Sequence, residues 1–106
     1  RDPIAALFYL RAVDWPRKKE LKFKVYDGEK LYEVHARLEA ASDSVATPVG
    51  TFSAVRLAFR VFEQAKERSD IKIRLWLAND GARTPVLIEA ELPFGRVRVE
   101  LSRRAT

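Results

Sequence analysis

Cysteine and methionine are both missing from the 106 residues, and histidine occurs once. Without cysteine there is no disulfide, no thiolate metal site and no thiol nucleophile. A metal centre would have to be assembled from His35 and scattered carboxylates, which show no ligand spacing. Glycine is scarce, 4 in all, and none marks the glycine-rich strand-to-helix corner that a nucleotide loop needs. A G-x-S-x-G nucleophile element is absent as well. No apolar run approaches the roughly 20 residues of a membrane-spanning helix. The missing methionine, with an opening Arg1-Asp2-Pro3 that carries neither initiator nor signal peptide, points to a piece cut from a longer protein, upstream of which any targeting segment would lie.

What is present is ordinary globular composition, 47% hydrophobic and 33% charged, which argues against disorder. The length fits one domain, residues 1–106. A net charge of +5 invites nucleic acid or anionic lipid as partner. The charges are interspersed, however, and no basic block forms, so a solvated, mildly basic face is the plainer reading.

The opening "RDPIAALFYLRAVDWP" reads as a short helix. Asp2 suits the N-cap and Pro3 the first helical position, where a missing N–H costs nothing. Ile4, Leu7 and Phe8 fall on one face, and Asp14-Trp15-Pro16 stops the helix. From Glu20 the period changes to two. Leu21, Phe23 and Val25 alternate with Lys22, Lys24 and Tyr26; Asp27-Gly28 signals a hairpin; and Tyr32, Val34, Ala36 and Leu38 return. "AASDSVATPVG" reads as a loop. Further strands are expected through Leu57 and Phe59, through Ile71, Ile73, Leu75 and Leu77, through Val86, Ile88, Ala90 and Leu92, and through Val97, Val99 and Leu101. Residues 52–69 fit a helical stripe as well as a strand. Strand to about Phe62, then a charged loop or helical turn, is the reading that continues the meander.

The expected architecture is therefore mainly β (α+β): a helix, then a curved, half-barrel-like antiparallel meander of about six strands. Each strand has a dry face and an ionic face. A lone short helix cannot hide so large an apolar surface, and soluble monomers seldom leave one bare. The sheet must curl round the helix, meet another copy, or meet a missing N-terminal half.

Four stretches, "DPIAALFYLR", "TPVGTF", "LWLANDGARTPVLIEAEL" and "FGRVRVEL", carry a resemblance in their order and spacing. The whole chain resembles the C-terminal half of domain-of-unknown-function family 3108, a family of bacterial exported proteins. The resemblance implies a periplasmic or envelope location and an antiparallel sheet with a helix, and it brings no catalytic or binding residues with it. In layout the family is similar to lipoprotein carriers of the LolA/LolB kind, whose open barrels hold acyl chains under a helix.

Weighed residue by residue, chemistry is thin. His35 lies on the ionic face between Glu33 and Arg37, without a nucleophile partner, and reads as a surface histidine. Glu89 and Glu91 could pass for a carboxylate pair, but Arg96 and Arg98 on the next strand offer cross-strand salt partners. "ANDGA" reads as a turn rather than a calcium loop. Lys22, Lys24, Arg37, Arg56, Arg60, Lys72, Arg74 and Arg98 share the ionic face with Trp76 and Tyr26, yet interleaved glutamates dilute the field that nucleic acid would need. Trp76 is the large aromatic of that face without an evident internal job.

The dry face is what remains. Its centre is Phe23, Val34, Leu57, Phe59, Leu75, Ile88 and Val99. The bland expectation is a core filled against Ile4, Leu7 and Phe8; the functional one is an open groove for an acyl chain or hydrophobic segment. The sequence thus points to a non-enzymatic envelope domain, without cofactor or metal, that binds a lipid or apolar segment. The alternative is a structural or assembly module, completed by a second copy or by its missing half.

Overall fold

The N-terminus folds as its residues dictate. Asp2 accepts a hydrogen bond from the Ala5 amide at 2.8 Å, Pro3 fills the first turn, and α1 runs Pro3–Ala12 until Val13 turns extended. In the computed structural model, which describes residues 2–102, seven strands follow: β1 (Glu20–Tyr26), β2 (Leu31–Thr47), β3 (Gly50–Glu63), β4 (Lys66–Glu67), β5 (Lys72–Ala78), β6 (Pro85–Leu92) and β7 (Gly95–Glu100). All neighbours pair antiparallel in the order β1-β2-β3-β5-β6-β7, and the short β4 pairs with the end of β3. The result is one open sheet with β1 and β7 as its edges.

Alternation sets the larger core. Phe23 faces Val34, Leu57 faces Leu75, and Leu75 faces Ile88 across the ladders. Ala36, Val55 and Leu77 share this side, against Ala6, Leu10 and Trp15 from the helical end. Trp15 is 1% exposed, and its indole N–H donates to the Leu10 carbonyl at 3.0 Å. The residue that stops the helix is thus also the wedge that seats it.

Helix orientation departs from expectation. Ala6 and Leu10 are buried and Leu7 packs beside them, whereas Ile4 is 70% exposed and Phe8 61%. The helix is apolar on almost every side, so periodicity alone did not select a face. The small Ala6 allows close approach to the sheet. Hydrogen bonds between the helical end and the β5–β6 turn fix the angle: Arg11 donates to the Ala82 carbonyl at 3.1 Å, and Arg83 donates to the Trp15 carbonyl.

The expected loop "AASDSVATPVG" is strand almost throughout. β2 and β3 form one long hairpin closed at Pro48-Val49, with Thr47 opposite Gly50. Register shifts between Leu38 and Ala40, and between Ala40 and Asp43, absorb extra residues. Beyond Phe62 there is neither a long loop nor a helical turn. Gln64 and Ala65, both at positive φ, make a tight turn into β4. The ambiguity over 52–69 resolves as strand to Glu63.

On the ionic side, residues that alternation places there make a core of their own, and a bulge in β6 adds to it. Val45, Ala54, Trp76, Ala78, Val86 and Leu87 cluster there, with Phe52 and Leu101 alongside. Leu77 opposes Pro85 while Trp76 opposes Leu87, so Val86 is the additional residue of a bulge. It turns away from Ile88 and joins the second cluster, a correction to the expected stripe of Val86, Ile88, Ala90 and Leu92. At this end β2 reaches across to β6, a strand it does not pair with, which curls the sheet.

Candidate functional site

The apolar side is not filled by α1. A groove of about 500 Å3 remains between helix and sheet, walled by Ala6, Leu7 and Leu10 and floored by side chains from β1, β2, β3, β5 and β6. The floor is Phe23, Val25, Val34, Phe59, Val61, Ile73, Leu75, Ile88 and Leu92, joined at one end by Ile71 and by Asp27 and Tyr32. Asp27 and Tyr32 are its polar members. The Asp27 carboxylate is already occupied, accepting the Glu29 and Lys30 amides at 2.9 and 2.8 Å, and the Lys30 amide above all holds its pKa low.

The sheet brings together Phe23, Val34, Phe59, Leu75 and Ile88, five of the residues at the centre of the expected dry face. Leu57 does not reach the groove; at 0% exposure it is sealed in the core beneath. Val99 faces the same side opposite Ile88 but lies outside the groove, 54% exposed on the edge strand. The physical reason is position within the sheet, because an edge strand has no further neighbour to wall it in. Val25, Val61, Ile73 and Leu92 belong to the groove although sequence reasoning did not place them at its centre. Val25, Ile73 and Leu92 already stood in the alternating stripes, and extending the stripe of Leu57 and Phe59 by one step reaches Val61.

The opposite side is ionic and internally paired. Glu39, nearly buried, accepts from Arg56 Nε at 3.2 Å and from Arg74 Nε at 2.8 Å. The Arg74 hydrogen bond chiefly holds its carboxyl below the usual range. Asp43 accepts from Trp76 Nε1 at 2.8 Å and Arg56 Nη1 at 3.0 Å, the indole bond being the main cause of its lowered pKa. Trp76 therefore has an internal job. It is 7% exposed, anchors the second cluster, and offers no stacking platform. Glu89 meets Arg98 at 3.3 Å and Glu91 meets Arg96 at 3.5 Å, the cross-strand pairs expected from the sequence. A second concavity of about 510 Å3 on this face is lined by these charged groups. His35 holds Glu33 at 2.9 Å and tilts against the Phe62 ring at 4.4 Å. Among the described residues, no three His, Asp or Glu side chains gather as a metal ion would require, and no helix is long and apolar enough to cross a membrane.

A family model described as "Protein of unknown function (DUF3108)" matches residues 1–102. The chain belongs to this family. No curated protein and no solved structure matches it. In this DUF3108 domain the stretches that carried the resemblance meet at one end of the fold. Phe52, Trp76, Ala78, Val86, Leu87 and Leu101 all belong to the second cluster. The helix is tied to the same region through Ala82 and Arg83. These stretches supply much of the region where the sheet curls and the helix is moored, within a family match that covers residues 1–102. The groove draws only part of its lining from those stretches.

Proposed function

We propose that this DUF3108 domain is a non-enzymatic component of the bacterial cell envelope that holds an acyl chain in the groove under α1. The observation that carries the reading is the groove itself: open to solvent, lined almost wholly by aliphatic and aromatic side chains, and about 500 Å3 in volume. That is within the range of ordinary ligand sites. Each methylene transferred from water contributes on the order of 0.8 kcal/mol, so a modest chain length gives measurable affinity. The envelope placement follows the resemblance to exported proteins, and the manner of binding follows an analogy of shape with lipoprotein carriers. His35 is assigned no catalytic part, and a His35→Ala strain should keep its wild-type phenotype.

A second reading, an assembly module, is favoured by the helix's outer side, where Ile4 and Phe8 stand exposed. Native mass spectrometry of the protein purified from bacterial cells separates the two. The acyl-chain reading expects a co-purifying lipid whose retention falls in an Ile88→Glu variant. A lipid-free oligomer would favour assembly, and a lipid-free monomer would count against both.

A further inference from the structure

Strand β7 has a property that the groove does not use. Its six residues, Gly95–Glu100, are exposed throughout and pair with β6 on one side; among the described residues no strand lies along the other. Unpaired edges are templates for a further strand, and soluble proteins blunt them with charged side chains, lysine above all, with proline or with a bulge. β7 reads GRVRVE, and its register runs from Leu92 opposite Gly95 to Leu87 opposite Glu100 without a shift. The other edge, β1, carries Lys22 and Lys24.

We propose that β7 pairs antiparallel with β7 of a second copy, about a two-fold axis through Val99. The backbone sets the parity. The Leu101 amide donates inward to the Val86 carbonyl at 3.0 Å, and Val97 and Val99 share its parity. The backbone groups of Arg96, Arg98 and Glu100 therefore point outward and meet their like in the partner. Such registers keep Val97 and Val99 on the apolar side of both copies. Charge then selects among them. An axis at Val97 sets Arg96 against Arg98 twice, and an axis at Arg98 sets Arg96 opposite Glu100 but also sets Arg98 against itself. An axis at Val99 sets Arg98 of each copy opposite Glu100 of the other and places Val99 on Val99, opposite charges and apolar groups each meeting their complement. In the single chain Arg98 already binds Glu100 at 3.0 Å and Glu89 at 3.3 Å, so these side chains lie on the same face for the exchange. The pairing extends one apolar wall across two molecules. It does not depend on what fills the groove.

A contact through one short strand is small, so the dimer is weak and forms with rising concentration. Sedimentation velocity over a concentration series of wild type, Arg98→Glu, Glu100→Arg and an equal mixture of the two variants tests it. Wild type should dimerise, and each variant alone should do so at least about tenfold more weakly, because both attractive pairs become repulsive. The mixture should recover, since both cross-strand pairs become opposite in charge again. A wild type that stays monomeric, variants that still dimerise, or a mixture that fails to recover would each overturn the proposal. Amide exchange in the wild type needs no variant: it should slow at Arg98 and Glu100 as concentration rises, and unchanged exchange there would equally refute it.

Discussion

At the scale of single residues, the two tryptophans divide the labour of the fold. Trp15 seats the helix on the larger core, and Trp76 seals the smaller one on the ionic side. Truncating a buried indole removes its transfer free energy and leaves a cavity, so Trp76→Ala should lower stability by about 3–5 kcal/mol in urea unfolding. Asp43→Asn keeps an acceptor for the Trp76 indole and loses the charge facing Arg56. Its cost should be near 1 kcal/mol, well below that of the tryptophan. Alternation did show that Trp76 points away from the dry face. Its burial was not legible, because Val86 reaches it only through a bulge, and the residues of β2 nearby, Ala40 to Ser44, state no preference for either face.

At the scale of elements, the strands were readable and their irregularities were not. A period of two, with β-branched and aromatic residues, marks β1, β5 and β7 plainly. One extra residue in a strand reverses which side every later side chain takes. That is why Val86 leaves the side of Ile88 and Leu92, whereas the two shifts in β2 cancel and leave Val45 on the side that plain alternation gives it. Helix α1 was placed correctly and turned wrongly, since Ile4 and Phe8 are as apolar as Leu7 and Leu10. The structure separates these faces energetically. Leu10→Ala should cost about 2–5 kcal/mol, whereas Phe8→Ala should stay within about 0.5 kcal/mol by the same denaturation measurement. A large loss at Phe8 would mean that the helix presents its other side.

At the scale of the molecule, the sheet has two working surfaces, one ionic and internally compensated, one apolar and incompletely covered. The ionic surface predicts a pH dependence. Glu39 and Asp43 titrate below their usual values in the folded state, held down by Arg74 and by Trp76 respectively. A carboxyl whose pKa is lower folded than unfolded stabilises the fold above the unfolded value, and that contribution is lost as pH falls through the folded one. Unfolding free energy should therefore be steady near neutrality and should decline only below the ordinary carboxylate range. Asp43→Asn should flatten part of that decline. The apolar surface predicts ligand binding, and its outline was partly legible. The alternating stripes named most of the floor, but which residues the helix would cover, as with Leu57, and which would lie at the edge, as with Val99, required the packing itself.

The most direct test of the acyl-chain groove is a methyl-resolved NMR titration with a single-chain fatty acid kept below its aggregation threshold. Shifts should concentrate on Val25, Val34, Ile73, Ile88 and Leu92, and leave Ile4 and Val49 unmoved. Shifts gathered on the outer side of α1, or an absence of shifts at the groove floor up to saturating fatty acid, would contradict the account.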